Sequence, residues 1–410
     1  MRGWRLIVLA AGCWGLAVPA AIGQTLTEEQ ALERMSLEHP QLRALGFTVR
    51  ERAAAARERS LLSNPAVSYT REEAGIFVDN FLVISQDLPV RGRLGLLGEA
   101  AGRAAAAAES RATASRLALE ARLRLAFTDL LLAQERTRVL DDDLSELGGL
   151  VDVLRAREDE GEGSLFDRLR AEREVAEIEA DLRAAVIDRR VAQARLAAFL
   201  APGTEPSGLT AAGDLAERAA VTGLEGLVMQ ALAERPDYRA LAQSATQWTF
   251  ERRAAERLRL PGASVSAGLK RARSAPLGHD SGYAVTATMS LPLFNRGQAQ
   301  VARAEAARAR TDAEREVLRG RIESEVRAAH AAAAGYRELA ERYRLESVDP
   351  AAELAEIAAT AHDEGEFTIL ERLDAHRVML SARLRLLELH AAARRAVIEL
   401  DRAVGRRRTP

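Results

Sequence analysis

Cysteine, lysine and aromatic residues are scarce in this chain of 410 residues. A single cysteine, Cys13, excludes a disulfide framework, a cysteine zinc site and a dithiol redox pair. Neither charge sign is in excess, with 58 basic against 60 acidic residues, so no global positive field points to nucleic acid. Beyond the first 23 residues no apolar run approaches the roughly 18 needed for a transmembrane helix, so contact with a membrane has to be made by strands. No nucleophile constellation and no phosphate-binding loop occurs, which argues against an enzyme and against a cofactor. The histidines, His39, His279, His330, His362, His376 and His390, and the five methionines form no metal-ligand cluster in sequence. What the chain has instead is 82 alanines, 57 arginines and abundant Leu and Glu, a composition that favours long helices.

The start reads as an export signal over residues 1–23. Arg2 and Arg5 precede an apolar run from Leu6 to Ala20, and Ala21-Ile22-Gly23 places small residues before Gln24. Cys13 sits inside that run, behind Ala10-Ala11-Gly12, so loss with the signal is favoured over acylation.

The remainder is written twice. Pro40 is matched by Pro236 and Pro65 by Pro261, both 196 residues on, and Leu88-Pro89 by Leu291-Pro292, 203 on. Asp159-Glu160-Gly161-Glu162 with Arg168-Leu169 returns as Asp363-Glu364-Gly365-Glu366 with Arg372-Leu373, 204 on. Such ordered matches reveal an internal repeat. The reading is a first repeat over 24–200, a Pro- and Gly-rich linker over 201–214, a second repeat over 215–405 and a basic tail over 406–410. Each repeat holds a helix, a strand pair, a very long helix, a Gly-containing break and a returning helix. The opening helix of the first copy is expected from about Thr27 to Leu62. Strands are expected at about 66–73 and 79–88, then 263–273 and 283–291, where the β-branched and aromatic residues gather.

From Arg91 to Glu158 there is no proline, and Leu119, Leu123, Ala126, Leu130, Ala133, Thr137, Leu140, Leu144, Leu147, Val151 and Leu154 keep a strict 4,3 spacing. That is a coiled-coil seam. The strands are near the length that crosses a bilayer when tilted. Open strand edges cannot face lipid, and four strands are too few to close a barrel, so one chain has to oligomerise; a trimer supplies twelve.

This order of elements resembles the TolC-like outer membrane efflux proteins. The likeness rests on Leu26-Thr27-Glu28-Glu29-Gln30-Ala31-Leu32 leading to His39-Pro40, on Leu88-Pro89-Val90-Arg91-Gly92-Arg93, and on Leu291-Pro292-Leu293-Phe294-Asn295-Arg296-Gly297-Gln298. The last run is most similar to the heavy-metal branch. The resemblance implies a mainly α chain with a small β part: duplicated coiled-coil hairpins forming a periplasmic tunnel, and four strands contributing to a trimeric twelve-stranded outer membrane barrel. It implies a homotrimer in outer membrane lipid, docked through a periplasmic adaptor to an inner-membrane pump of the RND type, with no nucleic acid. Pro65, Pro89, Pro261 and Pro292 then mark the turns between tunnel and barrel. Gly161, Ser164, Leu165, Gly365, Thr368 and Ile369 fall at the helix tips that meet the adaptor, where glycine permits the reversal and a hydroxyl can cap the next helix. Glu371 and Asp374 lie three apart on one helix face and match the family's acidic constriction, with Asp167 the counterpart of Glu371 in the first copy. Two alternatives remain: a type I protein-secretion conduit of the same fold, and a periplasmic coiled-coil adaptor or scaffold without a barrel.

Overall fold

The computed structural model describes residues 24–216, 223–274 and 278–406. The expected signal segment, residues 1–23, and residues 407–410 of the basic tail lie outside them. Proline placement divides the opening of each repeat. The expected single helix over 27–62 is two helices, α1 (Glu28–Glu38) and α2 (Pro40–Glu58), because Pro40 restricts His39 to extended backbone and takes the first position of a new helix. The same break separates α5 (Leu224–Glu234) from α6 (Pro236–Glu256). Strand β1 (Gln24–Thr27) precedes α1, and Thr27 forms a reciprocal capping box with Gln30.

The strand pairs are β2 (Ala66–Ala74) with β3 (Phe77–Leu88), and β5 (Gly262–Ser274) with β6 (Gly278–Ser290). They join into one antiparallel sheet in the order β2-β3-β5-β6, so β2 and β6 are its edges. The stretch 201–214 is more than a linker, since it carries β4 (Leu209–Ala212), which pairs in parallel with β1. Short mixed strands of four residues have no periodicity to betray them.

Helix α3 (Arg93–Asp159) runs without interruption for 67 residues, about 100 Å at 1.5 Å per residue. It returns through α4 (Leu165–Ala197). The second copy is less regular: α7 (Gln298–Tyr343) passes through a π-helical turn, Arg344–Val348, into α8 (Asp349–Asp363), then reverses into α9 (Ile369–Val404). Pro350, near the start of α8, cannot supply a backbone donor, which accounts for the widened turn just before it. Gly92 and Gly297 cap α3 and α7 with φ near +80°, and at Gly297 a Cβ would lie 2.5 Å from the Ala255 carbonyl oxygen. Only glycine serves there.

The helices form a wall. Towards the sheet its order is α2-α3-α6-α7; towards the helix tips it is α4-α3-α9-α8. The 4,3 seam of α3 faces inward: Leu119, Leu123, Ala126, Leu130, Ala133, Thr137, Leu140, Leu147, Val151 and Leu154 are all buried, and Leu144 partly so. One cluster gathers Leu123, Phe127 and Leu130 with Leu26, Met35 and Leu196 near the β1–β4 pair; another gathers Leu140, Leu147 and Leu154 with Ile178, Ile369 and Leu373. A buried ion network ties the N-terminal segment to the wall. Arg124 donates to Glu28 (2.7 Å) and Asp401 (2.9 Å), and Arg394 donates to the other Glu28 oxygen (2.5 Å).

Candidate functional site

The sheet carries its chemistry on two faces. Directly paired residues share a face, and the pairing sets Tyr69, Leu82, Leu269 and Tyr283 in one row, with Val67, Ile84, Ala267 and Val285 in the next. Rows containing Val265 and Ala287, then Leu88, Ala263 and Met289, continue towards the helices. This exposed apolar band rises over about 20 Å, six residue steps, and ends at two tyrosines. Past the tyrosines the same face turns polar with Arg71, Asn80, Arg271 and Ser281. The opposite face is mostly small and polar, with Ser68, Ser85, Ser264, Ser266, Gly268, Thr286 and Thr288, but it also carries Val83 and Phe81, and Lys270 there is paired to Asp79 at 2.5 Å. The alternation that looks imperfect along each strand becomes clearer once register aligns the four, with Gln86 on the apolar face and Phe81 and Val83 on the polar one as exceptions.

Pro65 immediately precedes β2 and Pro261 precedes β5; Pro89 and Pro292 follow β3 and β6. All four stand at the sheet–helix junctions, where a missing backbone donor breaks no ladder.

At the opposite end the two tips reverse by one hydrogen-bond pattern 204 residues apart. Gly161 N–H donates to the Glu158 carbonyl (2.9 Å), and Glu162 and Gly163 to that of Arg157 (2.9 and 2.8 Å). Gly365 donates to His362 (3.0 Å), and Glu366 and Phe367 to Ala361 (2.8 and 3.1 Å). Gly161 and Gly365 have φ of 80° and 81°, the left-handed geometry that ends a helix. The capping differs between copies. Thr368 and Glu371 form a full capping box: Thr368 N–H and hydroxyl both donate to Glu371 Oε2 (2.8 and 2.9 Å), while Glu371 N–H donates to the Thr368 hydroxyl. These bonds, the backbone one foremost, hold the Glu371 carboxyl below its ordinary pKa. Ser164 occupies the matching N-cap position, but its hydroxyl makes no capping bond.

The apolar tip residues diverge too. Leu165 is 52% exposed, whereas its counterpart Ile369 is 3% exposed and packs with Leu373 and Leu380 against the first repeat. Ile369 therefore offers no surface; Leu370 beside it does. Glu371 and Asp374 are exposed one turn apart, and Asp167 is half-buried in the first turn of α4. An arginine braces each tip: Arg168 donates to Glu158 (2.5 Å) and Glu172 (2.7 Å), and Arg372 to Asp363 (2.7 Å). Both arginines belong to the repeated Arg-Leu signature, whose role is invisible until the acids fold back against it.

One arrangement has no precursor in sequence spacing. Asp143 and Glu146 of α3 meet His376 of α9, with one potential ligand atom from each lying within 4.8 Å of the others. His376 lies 233 residues from Asp143 and 230 from Glu146 in the chain, so only the wall order joins it to them.

Residues 227–406 match the family model for outer membrane efflux protein. The match covers most of the second repeat. No curated protein sequence matches it. In fold it is similar to a membrane protein from Pseudomonas aeruginosa (19% identity, TM-score 0.76, 92% of this chain and 93% of that one). It is similar also to the CmeC outer membrane channel of Campylobacter jejuni (14%, TM-score 0.75, 98% and 94%) and to the outer membrane protein VceC of Vibrio cholerae (18%, TM-score 0.74, 92% and 96%). These likenesses extend over both repeats. The fold shared with these proteins is that of a mostly helical chain with a small sheet.

Proposed function

We propose that the chain is one third of a trimeric outer membrane channel, the passive exit duct of a tripartite efflux system. The observation that carries this reading is that every lateral edge of the chain is unfinished. Strands β2 and β6 have no outer neighbour among the described residues. Helix α2 contains no buried residue, and α4 exposes a second apolar stripe through Leu165, Leu169, Ile187 and Val191. On the opposite edge α7 and α8 expose Val317, Leu339, Leu354 and Ile357. Edge strands in lipid require partners, and exposed apolar helix faces of this extent mark interfaces. Three copies joined edge to edge make a twelve-stranded barrel continuous with a twelve-helix tunnel at its tip end. The apolar band then faces lipid, near the 25 Å height of known barrels, and the serine- and threonine-rich face lines the lumen.

In this reading the tips point into the periplasm. Gly161, Ser164, Leu165, Gly365 and Thr368, with Leu370 in place of the buried Ile369, meet a periplasmic adaptor that connects to an inner-membrane pump of the RND type. Glu371, Asp374 and Asp167 line the constriction, where rings of carboxylates favour cations. Metal cations or small toxic compounds are the cargo classes this suits, and the energy for transport comes from the pump. The protein-secretion alternative has no observation of its own in its favour.

Single-channel recording tests the constriction. Glu371→Gln with Asp374→Asn removes six charges per trimer while glutamine keeps the capping box intact. The expected result is a reversal potential shifted towards zero under a salt gradient; an unchanged potential places the selectivity elsewhere.

A further inference from the structure

We propose that Asp143, Glu146 and His376 form a binding site for one first-row divalent cation, joining the first repeat to the second. Asp143 is 3% exposed and His376 is 8% exposed, so both are withdrawn from water between α3 and α9. His376 Nε2 lies 2.9 Å from Asp143 Oδ1, but neither it nor Asp143 Oδ2 finds an aligned hydrogen-bond partner among the described residues. A buried carboxylate normally has a cation beside it. Arginines close to these residues in sequence are engaged elsewhere: Arg138 with Glu135 and Asp142, Arg372 with Asp363, and Arg377 with Glu174. A carboxylate oxygen and an imidazole nitrogen, both buried and without an aligned partner, are thus held on adjoining side chains.

The spacing suits a metal. Ligand atoms about 2.0–2.2 Å from a common ion lie roughly 2.9–3.4 Å apart at tetrahedral or octahedral angles, and the 2.9 Å Nε2–Oδ1 separation falls in that range. Glu146, one turn along α3, supplies a third donor within 4.8 Å. It is exposed, so its carboxylate can swing onto the ion, and its open side leaves room for entering ions and completing waters. One imidazole nitrogen with two carboxylate oxygens suits Zn²⁺, Co²⁺ or Ni²⁺ better than Ca²⁺ or Mg²⁺, which prefer oxygen alone. Because the donors come from α3 and α9, a bound ion ties the coiled coil of one repeat to that of the other. The site depends on this geometry and not on the channel reading.

The test is titration of Zn²⁺ into the full chain, purified in detergent and stripped of metal, in competition with a chromophoric chelator. One Zn²⁺ per chain is expected. Glu146→Gln, at an exposed position that leaves the core untouched, is expected to weaken binding about tenfold, and His376→Gln more. With Co²⁺ as the probe, the visible absorption of the bound ion is expected to disappear in His376→Gln. Saturating Zn²⁺ is expected to raise the melting temperature of the parent chain, to raise that of Glu146→Gln less, and to leave that of His376→Gln unchanged. If His376→Gln does not fold, Glu146→Gln and Glu146→Ala decide. Absence of saturable Zn²⁺ binding by the parent, as a plain imidazolium–carboxylate pair dictates, overturns the proposal; so does unchanged affinity in the Glu146 variants.

Discussion

Individual side chains set the geometry of the tips, and the two copies use different ones. At the second tip the Thr368 hydroxyl accepts from a helix-start N–H, whereas Ser164 makes no such bond at the first. Thr368→Ala is expected to cost about 1 kcal/mol and Ser164→Ala almost nothing; hydrogen exchange of the first turns of α9 and α4 measures both. The same box is pH-sensitive with a definite sign. Because the folded-state pKa of Glu371 is lowered, its contribution is present above the ordinary glutamate value and is lost as pH falls through the lower folded one. Fraying of the α9 start is therefore expected only in acid below the usual range of about 4.3, with neutral to mildly acidic conditions leaving it intact. Glycine at 161 and 365 is readable from sequence, since a helix that must reverse calls for a left-handed residue. The divergence of Leu165 and Ile369 is not readable, because the two occupy equivalent positions and differ only in which neighbouring helix covers them.

At the scale of helices and strands, periodicity carries most of the information. The eleven-position seam of α3 is legible because a 4,3 repeat can serve only one buried stripe, and ten of its positions are buried outright. Leu140, fully enclosed between α3, α4 and α9, illustrates the consequence. Leu140→Ala is expected to lower stability by about 3–5 kcal/mol, seen as a lower melting temperature by circular dichroism, while Val153→Ala on the exposed side is expected to change it by less than about 0.5 kcal/mol. The β1–β4 pair and the π-helical turn are illegible for opposite reasons. Four-residue strands are too short to show alternation, and a widened turn keeps the helix going through residues that look like any other helix. The Asp143–Glu146–His376 cluster is hidden for a third reason: helix order, which a single sequence does not state, brings α9 beside α3.

For the whole molecule, the duplication explains why one chain offers two unlike edges. An internal repeat placed side by side leaves the first copy's outer elements, α2, α4 and β2, on one flank and the second copy's, α7, α8 and β6, on the other. Like edges do not face each other, so copies join head to tail, and the proposed trimer is the closed form of that joining. Charge introduced on one flank is expected to oppose that closure: Ile187→Arg with Val191→Arg is expected to shift the assembly towards monomer in detergent without altering the helical content of the chain. Near-zero net charge, unremarkable by composition, then describes a body in which many acids and bases pair locally along the helices, as Arg173 does with Glu177 and Arg319 with Glu323. The central claim is that three copies make one channel. Its most direct measurement is the native mass of the detergent-extracted outer membrane fraction. The account predicts a single species of three chains that dissociates on heating; a monomer in the soluble periplasmic fraction, or a species not divisible into three chains, would contradict it.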